Sequence, residues 1–171
     1  LNNLASLYTK QGKYMEAEPL YQRALEINES HFGSTDPHTA TTLDSLALLY
    51  RYQGKYTEAE PLYQRALEIY EQQLGPTHSR TATCLNNLGA LYYYQGKYAE
   101  AEPLYKRAFE IYEQQLGPMH PDLAQSLNNI ATLYEEQKKY AEAEPLHQRA
   151  LAIREEQLGP MHPDTAQSLN N

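Results

Sequence analysis

The 171-residue chain has no tryptophan, a single cysteine and only two phenylalanines, Phe32 and Phe109. With Cys84 alone, an internal disulfide is excluded, and the composition fits a reducing, cytoplasmic setting. Cations are scarce: 14 Lys and Arg against 22 Asp and Glu leave a net charge of -8. That balance argues against nucleic acid as a partner, because phosphate binding needs a basic face. No apolar run is long enough to span a bilayer, so a membrane role is not expected. Catalytic signatures are missing too. There is no GxSxG, no phosphate-binding glycine loop and no HExxH. Glu100 and Glu102 do not share a helix face and make no acid–base pair, and Cys84 among small residues reads as a buried, inert thiol. The chain is read as non-enzymatic, with no cofactor.

What is present is repetition. Pro19, Pro61, Pro103 and Pro145 are spaced by 42 residues, as are Gly33, Gly75, Gly117 and Gly159, and Leu1, Leu43, Leu85, Leu127 and Leu169. A fixed period in this range marks a solenoid. Residues 1–171 make one array of about four periods, opening and closing on the same LNN. Leu1 stands in mid-pattern, so the chain reads as a piece of something longer, truncated within a first helix at both ends.

Each period holds two helical patterns. In the third, Leu85, Leu88, Gly89, Leu91 and Tyr92 share one face. QGKY interrupts, and a second helix follows from near Tyr98 with Ala101, Leu104, Tyr105, Ala108, Ile111 and Tyr112 inward. Pro103 lies about one turn into it and removes one backbone hydrogen bond. LGP ends the helix, with Gly117 past its last turn and Pro118 blocking continuation. The face reading takes the first helices from near Thr41, Thr83, Gln125 and Gln167, although Pro121 and Asp122 also suit a helix start. Thirteen of the 16 tyrosines fall at recurring positions and are assigned to packing; Tyr52, Tyr93 and Tyr94 are left over.

The run LGALYYYQGKYAEAEPLYKRA, with Leu88, Gly89, Tyr92, Gly96, Tyr98, Ala101, Tyr105 and Ala108 in order, resembles a tetratricopeptide repeat. The 42-residue period and the linker LGPMHPDTAQSLNN resemble the kinesin light chain subclass. The resemblance implies an all-α right-handed solenoid of antiparallel helix pairs. It also implies a concave groove lined by the first helix of each pair, and a protein or peptide partner.

At about 100° per residue, Thr83, Asn86, Asn87, Ala90, Tyr93 and Tyr94 point away from the packing stripe. In register, paired polar residues recur as Asn2-Asn3, Asp44-Ser45, Asn86-Asn87, Asn128-Asn129 and Asn170-Asn171. A carboxamide both donates and accepts, which suits the backbone of an extended peptide. The resemblance implies that role for Asn3, Asn87 and Asn129. A purely structural role, bonding a neighbouring helix, is the alternative. One turn on, Thr9-Lys10, Arg51-Tyr52, Tyr93-Tyr94 and Glu135-Glu136 vary. Tyr93 and Tyr94 offer aromatic anchors, and Arg51 and Lys10 can take a carboxylate. Thr41, Thr83 and Gln125 stand where a carboxylate-clamp lysine would sit, so a clamp is not expected. His78, His120 and His162 recur by 42, too far apart for one metal, and are read with Asp36 as helix caps. The second reading is a scaffold that self-associates end to end through its terminal repeats.

Overall fold

The computed structural model describes residues 1–159 and His162. The described residues form helices α1 (Asn2–Lys10), α2 (Tyr14–Phe32), α3 (Pro37–Tyr52), α4 (Tyr56–Gln73), α5 (Ser79–Tyr94), α6 (Tyr98–Leu116), α7 (Pro121–Glu136) and α8 (Tyr140–Leu158), with no strand among them. Odd-numbered helices are the first helices of the periods and even-numbered ones the second. The class is all-α, as the repeat predicts. The expected partial helix beyond Pro163, with Asn170 and Asn171, lies outside the described residues.

First helices begin about one turn earlier than the face reading takes them, because the linker supplies its own caps. Asp36 accepts from the His38 amide at 2.8 Å. His78 Nδ1 accepts from the Arg80 amide at 3.1 Å, and His120 Nδ1 from the Asp122 amide at 3.2 Å. Asp36, His78 and His120 therefore cap α3, α5 and α7 by satisfying an otherwise unbonded first-turn N–H. Thr39 and Thr81 close the same linkers by donating to Gly33 O and Gly75 O at 2.8 and 2.9 Å.

The QGKY turns need a positive φ. Gly12, Gly54 and Gly96 all sit at φ 73°, and in the fourth copy Lys138 is forced to φ 61°. A residue with a Cβ is strained there.

The chain divides into two compact units, Leu1–Leu91 and Tyr92–Asn171, with the boundary inside α5. In the first, α2 packs on α1 and α3, α1 touches α3, and α3 pairs with α4. Its core joins Ala5, Ala17, Tyr21, Leu46 and Leu49, with Tyr8, Tyr14 and Tyr50 packed against it. In the second, α7 packs on α6 and α8. There the core joins Leu123, Ala124, Leu127, Ala150 and Ile153, with Phe109 and Tyr112 alongside. Ala17, Ala59, Ala101 and Ala143 are at most 2% exposed, and their small side chains let the helices approach closely. Tyr140 departs from the packing role expected of its position. It is 64% exposed, whereas its counterpart Tyr14 stacks on Tyr52 of the next first helix at 6.3 Å.

The second glutamate of the EAEP stretch ties one period to the next in the first and third copies, through Glu18 and Glu102. In the first unit, Glu18 accepts from Tyr50 Oη (3.2 Å), Gln53 Nε2 (3.3 Å) and Lys55 Nζ (3.1 Å). In the second, Glu102 accepts from Tyr134 Oη at 3.1 Å and Lys106 Nζ at 2.7 Å, with Lys139 Nζ at 3.9 Å. Desolvation pushes the Glu18 carboxyl up, but bonds from Lys55, Gln53 and Tyr50 outweigh it and leave it below its usual range. Lys106 chiefly holds Glu102 down, with Tyr134 assisting. A depressed folded-state value stabilises the fold above the unfolded value, and that contribution disappears as pH falls through the folded one.

Glu18→Gln and Glu102→Gln should therefore flatten the fall in Tm on acidification below about pH 4.5. Tyr50→Phe should cost about 1 kcal/mol in urea unfolding. Lys138→Gly should move the other way and stabilise by roughly 0.5 kcal/mol, strain relief outweighing added chain entropy.

Candidate functional site

Of the paired polar residues, Asn2 bonds Thr42 of the next first helix and Asn87 bonds Asp44 of the preceding one, while others are engaged within their own helix or pair. Asn2 Nδ2 donates to Thr42 Oγ1 at 2.8 Å, a hydroxyl that Asn28 Nδ2 also reaches at 2.8 Å. Asn3 is exposed. Ser45 donates to Thr41 O at 2.9 Å. Asn86 and Asn87 are half-buried. Asn129 is half-buried as well, and its Oδ1 accepts from Gln125 Nε2 at 3.0 Å. Asn128 departs from the expected face. It is 5% exposed, turned into the α7–α8 contact with Oδ1 3.2 Å from His147 Nδ1. The exchange of tyrosine for histidine at position 147 supplies that partner, and His147 Nε2 stands 3.4 Å from Glu135 Oε1.

A charged member of the pair organises the α3–α5 contact. Asn87 Nδ2 donates to Asp44 at 3.2 Å to Oδ1 and 3.3 Å to Oδ2. Burial pushes the Asp44 carboxyl above its ordinary range, against the downward pull of Asn87, the Cys84 thiol and the Arg51 charge. The same burial, with Asp44 nearby, pushes the Cys84 thiol far up, so Cys84 is no thiolate nucleophile. Cys84 is fully buried, its Sγ 3.5 Å from Tyr63 O.

Thr41 is a second node. Its hydroxyl accepts from Tyr70 Oη at 3.1 Å and Arg80 Nη1 at 2.8 Å. Burial raises Tyr70 to about 12, the Thr41 bond acting against it. Arg80 is a cation that the sequence reading, which counts only Lys10 and Arg51, misses. It starts α5 but reaches back across the preceding period, a direction that face assignment within one helix does not reveal. Arg154 behaves similarly: it is 4% exposed and its Nη2 lies 3.4 Å from Gln125 Oε1.

The varied turn carries the aromatics. Arg51 lies 5.0 Å from the centre of the Tyr52 ring, and Tyr52 is 50% exposed. Tyr93 and Tyr94 meet edge to face at 5.5 Å, with Tyr94 56% exposed. Tyr93 Oη donates to Glu136 Oε1 at 3.4 Å, and its ring is 5.7 Å from that of Tyr98. Between α1 and α3 a pocket of about 320 Å³ opens, lined by Lys10, Tyr14, Tyr21, Leu48 and Tyr52 among others. Among the described residues no group of three His, Cys, Asp or Glu could hold a metal, and no helix is long and apolar enough to cross a membrane.

A family model described as tetratricopeptide repeat matches residues 1–72, 45–114, 95–156 and 122–171. The crystal structure of BtubC (BKLC) from P. vanneervenii is similar at 32% identity and TM-score 0.84. The match covers 95% of this chain and 64% of that one, so the chain spans less than two thirds of that protein. A Podosopora anserina putative kinesin light chain with nearly identical TPR-like repeats matches at 25% identity and TM-score 0.84, over 98% of this chain and 79% of that one. Aspartyl phosphate phosphatase F from Bacillus subtilis shares the fold at TM-score 0.79 and 20% identity, over 91% of this chain and 39% of its own. No curated protein matches significantly.

Asp44→Asn should raise Tm at pH 7. The raised folded value means Asp44 weakens the fold as pH climbs through it, and an amide carries no charge to desolvate. The difference from wild type should shrink as pH falls below about 3.9, where the carboxyl becomes protonated in the unfolded chain as well as in the fold. An unchanged difference across that range in calorimetry would contradict the assignment.

Proposed function

Because the chain belongs to the tetratricopeptide repeat family, we propose that it is a non-catalytic protein-interaction module holding an extended peptide or partner segment on its first-helix face. Asn3, Asn86, Asn87 and Asn129 are the backbone-side row of that face, and Arg51, Tyr52, Tyr93 and Tyr94 its side-chain readers. Asn128 contributes by bracing α8 through His147 and not by direct grip.

The observation that carries the reading is Asn87. Its amide nitrogen is held by both Asp44 oxygens. This fixes the carboxamide before any ligand arrives and presents Oδ1 as an acceptor for a peptide N–H. A preset acceptor loses little rotamer freedom on binding, which is where exposed amides lose affinity. The exposed rings of Tyr52 and Tyr94 supply contact area of the kind that interaction surfaces favour. The net charge of -8 supports a protein partner over nucleic acid.

A stacking role is the second reading, favoured by one feature of register. Tyr8, Gln11 and Lys13 occupy the positions of Tyr50, Gln53 and Lys55, and Glu144 occupies that of Glu18. A further repeat, from the same chain or a second copy, would meet matched groups at either side.

A peptide-library screen on wild type and on Asn3→Ala with Asn129→Ala tests the first reading. These two positions leave the Asp44–Asn87 pair intact, whereas Asn87→Ala would strand a buried carboxylate and confuse binding with folding. Selected peptides should bind the double variant at least about tenfold more weakly, with unchanged circular dichroism. Equal binding would remove the asparagine row from the reading. A library that selects nothing, with mass rising with concentration in light scattering, would favour stacking.

A further inference from the structure

The joint between successive periods has a worked example inside the chain, and two other faces carry its halves. In the first unit, α2 supplies a socket for Tyr50 of α3. Ala17 and Tyr21 form the apolar floor on which Tyr50 packs, and Glu18 and Gln22 meet its hydroxyl at 3.2 and 3.3 Å. Lys55 lies over the Tyr50 ring at 5.1 Å and reaches Glu18 at 3.1 Å, and Gln53 reaches the same carboxylate at 3.3 Å.

Helix α8 carries the same socket. Ala143, Glu144, His147 and Gln148 stand in register with Ala17, Glu18, Tyr21 and Gln22. Gln148 Nε2 donates to Glu144 Oε1 at 3.1 Å, as Gln22 does to Glu18 at 3.4 Å, so the polar rim is already set. Where the first unit seats Tyr50, these four residues line a pocket of about 290 Å³ with Glu135 and Tyr140.

Helix α1 and the turn after it carry the insert. Tyr8, Gln11 and Lys13 hold the positions of Tyr50, Gln53 and Lys55. Lys13 lies over the Tyr8 ring at 5.8 Å, the arrangement seen in the filled joint. Beside them, Leu4 and Leu7 are 44% and 49% exposed, whereas their counterparts Leu46 and Leu49 are 3% and 0% exposed and clustered with Ala17 and Tyr21. Charge is complementary too. Glu135 and Glu144 line the socket, and Lys10 and Lys13 lie on either side of Gln11 in the insert. Lys10 also holds the position of Tyr52, so the joint brings it to the exposed Tyr140 ring as Tyr52 is brought to Tyr14. A cation is attracted to a ring face placed in that way.

We infer that the α8 socket takes α1 of a second copy of this chain, with Tyr8 entering the pocket and its hydroxyl, the Gln11 amide and the Lys13 ammonium converging on Glu144. This rests on the stacking role, the second reading above, and gives it a partner and a contact. Leu4 and Leu7 supply the apolar burial, and the charges around Glu144 set the register. The contact is heterologous: each copy receives with one face and inserts with another, so association propagates.

The test uses the full chain in sedimentation equilibrium. The weight-average mass of wild type should rise above 19.6 kDa with concentration. Glu144→Lys and Lys13→Glu each set like charges against one another in the joint, and each should weaken association at least about tenfold. Mixed in equal amounts, the two variants restore opposite charges at every joint, and the mass should rise again. Both positions are exposed, and circular dichroism checks that the fold is kept. Should either variant fail to fold, Gln11→Glu, which sets a second carboxylate against Glu144, decides alone, and undiminished association there overturns the inference. A wild-type mass that rises while the variants stay within about twofold of its association constant overturns this joint and leaves stacking standing. Association lost in the single variants and not recovered in the mixture overturns it as well. A wild type that stays monomeric overturns the joint and the second-copy form of stacking together.

Discussion

A helix hairpin of this composition cannot bury its own apolar stripe, and the rest of the structure follows from that constraint. Each pair of helices has alanine at its closest approaches, and Ala17, Ala59, Ala66, Ala101 and Ala108 have no exposed surface. Close approach leaves larger side chains to fill the flanks, which is why Tyr21, Tyr63 and Tyr105 recur as buried rings. Stacking then aligns polar groups from one period to the next, so Glu18 and Glu102 each meet a tyrosine hydroxyl and a lysine of the following period.

That alignment also explains why the first-helix face is built from groups that bond one another. Asn87 is tied to Asp44, Thr41 to Arg80 and Tyr70, and Asn2 to Thr42. Contacts across neighbouring first helices hold these side chains still. The variable turn beside them carries the chemistry that differs between intervals. Constant and varied side chains are therefore separated by a single helical turn, a division that lets a family of nearly uniform repeats present distinct surfaces.

Much of the fold was legible because periodicity at 42 residues multiplies every weak signal by four. Tyr98 as the start of a second helix and Gly117 just past its end both stand where the pattern places them. The caps of the first helices were legible, since Asp36, His78 and His120 cap as the linker suggests, but the face reading began each of those helices about one turn too late. Partners in space were the least visible. Asn128 looks equivalent to Asn86 until His147 replaces a tyrosine 19 residues away, and Arg80 looks like a helix-start residue until it bonds Thr41 across 39 residues. Spacing within one helix assigns a face. It does not say which neighbour has a donor waiting there.

The buried carboxylate of Asp44 bears on how such an array can lengthen. Repeat proteins grow by copying one period beside itself. Copied in tandem, the second period would set Asp44 against a duplicate of Ser45 in place of Asn87. Ser45 is short, and its proton already goes to Thr41 O. The new junction would hold a desolvated charge with no amide to answer it. Copies of the third period, which brings Asn86 in place of Asp44, carry no such penalty. One acidic residue thus makes the modules unequal as raw material, and restricts which of them can be inherited twice in a row.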